Sequence, residues 1–132
     1  MKNISRLLGL AVGLGLLYAG MTTEAADKKK AKQLRHFVCF KYKPEASKAK
    51  IAGVEEAFAA LENKITEIKA FEKGTNNSPE GLNKGFKHCY QITFGSEKDR
   101  DAYLVHPAHK KFVELVGPVV EDVFVVDYWA GK

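Results

Sequence analysis

Three stretches of this chain, LRHFVCFKY (residues 34–42), FKHCYQITF (86–94) and VFVVDYW (123–129), are aromatic or β-branched at odd and even positions alike. Successive side chains of a strand point to opposite faces, so a sheet built from such segments must be covered on both sides. Neither a half-solvated antiparallel sheet nor a helical bundle satisfies that demand. The chain therefore has to supply one layer of cover itself and obtain a second from elsewhere.

The intervening segments say what the first layer is. Between residues 45 and 68, Ile51, Val54, Phe58, Leu61, Ile65 and Ile68 recur at spacings of three and four, which predicts one long amphipathic helix. Residues 70–73 follow as a short strand ending at Gly74, and GTNNSPEGLNKG then crowds Asn, Ser, Pro and Gly into a connection that reads as a long hairpin loop or as a flap beside a pocket. Ser96 with Asp99 three positions on is a capping signal for a further helix. Pro107 suits the first turn of another, closed by Gly117 and Pro118. The predicted order is β-α-β-β-α-β, with the second helical region split at Pro107.

That order gives an α+β class and a ferredoxin-like sandwich, a four-stranded antiparallel sheet with all helices on one face. The economical cover for the bare face is a second copy of the chain packed sheet to sheet, a twofold homodimer closing an α+β barrel.

Residues 1–25 stand apart from this pattern. Lys2 and Arg6 precede an apolar run over residues 7–21, with small residues near Ala25, the arrangement of a secretory signal peptide. The run is shorter than the ~20 residues of a membrane-spanning helix, so no stable span is expected after cleavage, an uncleaved anchor being the alternative. The expected destination is the periplasm or the exterior. Residues 26–33 form a basic linker and 34–130 the domain. The net charge of +5 falls by one unit when Lys2, Arg6 and Glu24 are removed, and much of the rest lies in the lysines of residues 28–32. Without interleaved aromatics that cluster is a solvated tail, and no nucleic-acid partner is expected. Cys39 and Cys89 read as small buried hydrophobes, diagonally offset on neighbouring strands and pointing away from the helices, an intrachain disulfide being the alternative.

The segment AYLVHPAHKKFVELVGP (residues 102–118) holds the densest chemistry. His106 and His109 lie three apart in a helical stretch, with Tyr103 three residues upstream. On the first strand His36, Val38, Phe40 and Tyr42 share a face, matched on the third by His88, Tyr90, Ile92 and Phe94. With the two strands taken as neighbours running the same way, His36 and His88 fall at one end of the sheet. Four imidazoles and a phenol then line one cavity between helices and sheet, suited to proton transfer. A zinc site and plain structural hydrogen bonding, His106 capping the helix begun by Pro107, remain the alternatives.

With LRHFVCFKYKP, NNSPEGLNKGFKHCYQITF and DRDAYLVHPAHKKFVELVGPVVEDVFVVDY in view, the chain resembles the Dabb family of stress-responsive A/B barrel domains from Leu34 to about Ala130. The resemblance implies a ferredoxin-like protomer that dimerises through its sheets. It also implies a site, because plant polyketide cyclases of the family close a ring by aldol chemistry without metal or cofactor. They use a histidine and a tyrosine that align with His109 and Tyr103, beside strand histidines matching His36 and His88. The expectation is an exported homodimer of stress-related role with a small apolar pocket. Its alternative is a cofactor-free cyclase or lyase acting on a small carbonyl compound, with His109 as base and Tyr103 as hydrogen-bond donor, and a pure ligand-binding module is the third class. His36, Val38, Phe40, His88, Tyr90 and His106 are the expected substrate-binding residues; no metal or cofactor is expected. Tyr90, the basic tail and the export signal depart from the plant enzymes, so their substrate does not carry over.

Overall fold

The structure, a computed structural model, describes residues 31–131. The expected signal peptide and most of the basic linker lie outside that range. Gln33, placed in the linker by sequence, already begins the first strand.

The chain runs β1 (Gln33–Tyr42), α1 (Lys48–Ala59), a 3₁₀ turn (Ala60–Asn63), β2 (Ile68–Thr75), β3 (His88–Phe94), α2 (Glu97–Val105), α3 (Pro107–Val116) and β4 (Val120–Ala130). The four strands form one sheet in the order β2-β3-β1-β4, every neighbouring pair antiparallel. The β-α-β-β-α-β order and the α+β sandwich are as the sequence predicted, with the second helical region broken at His106 and Pro107.

Two expectations need correction. The long helix over residues 45–68 ends at Ala59 and tightens into the 3₁₀ turn, so Ile65 lies in the connection and Ile68 opens β2. The apolar spacing continued past the helix because Leu61, Ile65 and Ile68 are buried wherever the backbone leads them, at 7% exposure or less. Secondly, β1 and β3 are adjacent but antiparallel, because the α1 crossover leaves β2 running the same way as β1 and the β2–β3 connection then reverses the chain. His36 therefore pairs with Ile92, and His88 with Phe40, four residues along β1. The two histidines share a face but not an end.

The core lies between the sheet and the helices. Phe58 of α1 is 2% exposed and stacks on Phe112 of α3 at 4.4 Å between ring centroids, with Tyr90 at 4.7 Å and Phe71 at 5.2 Å. Ser47 caps α1 by accepting from the Lys50 N–H, and Ser96 caps α2 by accepting from the Asp99 N–H. At α3 the cap is His106, whose Nδ1 accepts from the Ala108 N–H at 3.1 Å while Pro107 fills the first helical position. Pro107 has no N–H to leave unpaired there, so the break is also a well-formed start.

The helical layer leaves the edge strand β4 only partly covered. Val123 and Val125 of β4, paired with Phe40 and Val38, are 42% and 49% exposed although they face the helices. The opposite, outer face carries Phe37, Cys39, Cys89, Phe124, Val126 and Tyr128. It is less uniformly apolar than the sequence suggested, because Arg35 bonds Thr93 there, and Gln91 donates to Glu72 and accepts from Tyr128. The loop after β2 folds over this face, bringing Phe86 to within 6.1 Å of Phe124. It turns through Gly85 at φ 87°, a left-handed conformation where a side chain would also strike Lys41. This loop borders an outer groove and contributes nothing to the lining of the helix-side cavity described next, so the flap reading does not hold for that cavity.

Candidate functional site

Where α2 and α3 overhang β1 and β4, they leave a cavity of about 390 Å³. Phe40, Phe58, Phe112, Val116 and Val123 form its apolar walls, and His36, Tyr103, His109 and Asp127 bring polar groups to it. Of the residues singled out by sequence, His36, Val38, Phe40, Tyr103 and His109 meet here.

The others do not. His88 sits at the far end of β1, where its Nδ1–H donates to Glu55 at 2.9 Å and its ring lies edge-on to Tyr42 at 4.8 Å. Glu55 also accepts from Lys73 at 3.3 Å. Burial alone would raise the Glu55 carboxyl, but the bonds from His88 and Lys73 outweigh it and hold the group below its usual range. Tyr90 is a core residue, 1% exposed, hydrogen-bonded to the Tyr42 hydroxyl at 3.2 Å. His106 spends its Nδ1 on the cap of α3. The antiparallel register accounts for the loss of His88, and helix capping for that of His106.

The polar groups of the cavity are held in defined states. The Asp127 carboxyl lies below its ordinary pKa; burial pushes it upward, but hydrogen bonds from Arg100 and His36 prevail. It is therefore ionised and can only accept, so His36 donates through Nδ1–H at 2.6 Å, and Arg100 donates to the other oxygen at 2.8 Å. His109 donates its Nδ1–H to the Leu104 carbonyl at 3.2 Å, which in the neutral ring leaves Nε2 with the lone pair. Burial lowers the His109 pKa, His36 and His106 press the same way, and the bond to Leu104 only partly opposes them. A histidine shifted down from 6.5 is neutral at physiological pH and able to accept a proton.

Tyr103 completes the set. Its ring lies 4.3 Å from that of His109 and 5.7 Å from that of His36. Burial, reinforced by the Asp127 charge, pushes its hydroxyl well above the usual value, so it stays protonated. No hydrogen bond to that hydroxyl is present among the described residues, where every sealed side-chain polar atom has a partner. The hydroxyl therefore opens onto the cavity with its proton available. A neutral base beside an unspent donor at one end of an apolar chamber can polarise an oxygen-bearing ligand and take a proton from it. Among the described residues no group of three or more His, Cys, Asp or Glu converges as a metal-ligand set.

Sequence reasoning missed Asp127, Arg100 and the aromatic floor of Phe58 and Phe112. The signal for Asp127 was visible as the one charge within VFVVDYW. An ionised group in an otherwise apolar strand needs a partner, here supplied in register by His36 of β1. The role of Arg100 depends on its side chain reaching from α2 to Asp127 of β4 and had no signal of its own.

Residues 34–130 match the family described as the stress responsive A/B barrel domain, Dabb. Among curated proteins, a stress-response A/B barrel domain-containing protein of Arabidopsis thaliana, HS1, is 33% identical over 95 residues, 72% of this chain and 87% of the relative. Olivetolic acid cyclase of Cannabis sativa is 25% identical over 99 residues, 75% of this chain and 98% of the relative. Among solved structures, hydroxynitrile lyase from Passiflora edulis superposes with a TM-score of 0.72 at 28% identity, over 77% of this chain and 96% of that one. A dimeric protein of ferredoxin-like fold and unknown function from Bacteroides fragilis aligns with a TM-score of 0.59 at 25% identity, over 73% and 94% of the two chains.

Proposed function

The chain belongs to the stress-responsive A/B barrel family, and from that membership we propose that its cavity takes a small, largely apolar carbonyl compound or its hydroxylated adduct, on which it performs cofactor-free acid–base chemistry. The carrying observation is the pairing of a neutral His109 with a protonated, unpartnered Tyr103, 4.3 Å apart between ring centroids at the polar end of the cavity. Tyr103 donates to the ligand oxygen, and His109 Nε2 receives the proton that the reaction must remove. The Asp127–His36 pair fixes a second imidazole beside them. Phe40, Phe58 and Phe112 hold the hydrocarbon part.

A cyclase and a lyase among the similar proteins support the reaction class without naming a substrate for this chain. The test is turnover of a panel of small apolar ketones, β-polyketones and cyanohydrins by wild type, Tyr103→Phe and His109→Ala, with ligand binding followed by NMR. Loss of turnover in both variants, with melting temperatures close to wild type, supports the proposal. Binding without turnover in wild type would reduce it to the ligand-binding reading.

Two further parts of the proposal concern assembly and place. A second copy packs on the outer sheet face, supported by the exposure there of Phe124, Val126 and Tyr128, between 39% and 47%, and by the dimeric neighbour. Export is supported by the basic and apolar pattern of residues 1–25. Mass spectrometry of the protein isolated from its source tests it, through a mature chain lacking that segment.

A further inference from the structure

One ion pair joins α2, the helix that carries Tyr103, to the edge strand β4. The main neighbours of α2 are α3, β2 and β3, whereas β4 lies at the other edge of the sheet, beyond β1. Arg100 reaches across from α2 and donates from Nη1 to Asp127 Oδ2 at 2.8 Å, the single ion pair between a helix and β4 among the described residues. Its Nε donates to Asp101 at 2.9 Å, an exposed contact within the same helix.

Asp127 stands opposite His36 in the register of β1 with β4, and its Oδ1 takes the His36 Nδ1–H. Among the described residues that is the one hydrogen bond of the His36 side chain. The other close neighbours of the imidazole are the rings of Tyr103 and Phe94, edge-on at 5.7 and 6.3 Å between centroids, which confine it without fixing its rotation. Asp127 therefore sets where His36 points. A carboxylate held at one oxygen still turns about its broad terminal torsion, but one held at both oxygens by donors on different elements does not. The donor at the second oxygen is Arg100.

We propose that Arg100 is a positioning residue of the acid–base site: by holding the second oxygen of Asp127 it orients the carboxylate that aims His36, and it ties down α2 so that Tyr103 meets that imidazole at the polar end of the cavity. Arg100 and Tyr103, three residues apart on α2, lie on one side of the helix. Asp127, His36 and Tyr103 all line the cavity and Arg100 does not, so it acts through them without touching the ligand. The role rests on the reading of the cavity as an acid–base site.

The test compares the full-length wild type with Arg100→Met, which keeps an extended side chain without its charge, and Arg100→Lys, which restores a charge and a donor. Asp127 receives a single bond from this guanidinium, so a lysine can serve it without the loss of a fork. Circular dichroism confirms that both variants are folded. Two readouts need no substrate: titration of the Asp127 carboxyl by carbon NMR, and the ring Nδ1–H resonance of His36. The groups facing that carboxylate are His36 of β1 and Arg100 and Tyr103 of α2. Burial pushes the carboxyl up, and the bonds from Arg100 and His36 hold it below its ordinary value. Arg100→Met should therefore raise its titration midpoint and open the His36 Nδ1 proton to exchange, so that its resonance is lost. Arg100→Lys should keep both close to wild type. On a substrate turned over by wild type, Arg100→Met should lower kcat on the order of 10²-fold with KM within about twofold, and Arg100→Lys should recover most of the loss. An unchanged Asp127 titration and His36 resonance in Arg100→Met would overturn the proposal. So would a loss confined to KM, which would put Arg100 on the ligand, or an equal loss of kcat in both variants. A wild type that turns nothing over would sink the proposed reaction, and the two spectroscopic readouts would still decide whether Arg100 positions Asp127 and His36.

Discussion

Replacing Asp127 with Asn tests the polar end of the site, since it keeps the shape and removes the charge. In the native protein one carboxylate oxygen accepts from His36 at 2.6 Å and the other from Arg100 at 2.8 Å, with Asp127 only 25% exposed. An amide has a single acceptor oxygen, so it can serve one of these donors and must turn its NH₂ toward the other. Hydrogen bonds to charged groups contribute about 1.5–3 kcal/mol each, and an unpaired donor adds a penalty. With partial solvent access tempering both, the loss at pH 7 should be about 2–3 kcal/mol. For a domain of this size that is a fall in Tm of about 10–20 °C. The pH dependence carries the sharper test. The folded-state pKa of Asp127 is depressed, so its contribution is complete above the unfolded value of roughly 3.9 and disappears as pH falls through the folded value. Urea unfolding of both proteins at pH 7 and stepwise below pH 4, at one fixed protein concentration, should show a gap that is full at neutral pH and closes in acid. A gap that persists unchanged into acid, or one under about 0.5 kcal/mol at pH 7, would refute the assignment of Asp127 as an ionised acceptor for His36 and Arg100.

Three other perturbations separate packing, capping and assembly. Phe58→Ala empties the centre of the aromatic cluster and should cost about 3–5 kcal/mol, read by thermal denaturation, with weaker retention of apolar ligands because Phe58 also forms a wall of the cavity. His106→Ala removes a helix cap and should lower stability by about 1 kcal/mol with turnover unchanged, whereas a loss of turnover would restore His106 to the chemistry. Val126→Lys puts a charge on the outer sheet face; sedimentation velocity should then find a monomer where wild type is a dimer, and a variant that still dimerises would move the interface elsewhere.

Element order, the helix starts at Ser96 and Pro107, and the sharing of one sheet face by His36, Val38, Phe40, His88 and Tyr90 were all legible in the residues themselves; the start of α1 at Ser47, two residues later than expected, was not. Each legible feature depends on local chemistry: a side-chain oxygen reaching back to an N–H, a ring that cannot donate, a period of two along a strand. Tyr103 and His109 belong with these, since both come from one short region of sequence and one turn at Pro107 delivers them to the same chamber. What local pattern cannot carry is direction and register between segments distant in the chain. Reversing β3 against β1 moved His88 to the far end and brought Cys39 opposite Cys89, although neither change alters the face that any residue occupies. Asp127 became a partner of His36 only because β4 joined the free edge of β1 in one register out of several that keep the same residues on each face. Side-chain alternation, a property of the backbone alone, determined the faces; hydrogen-bonded pairing across the sheet decided which residues meet.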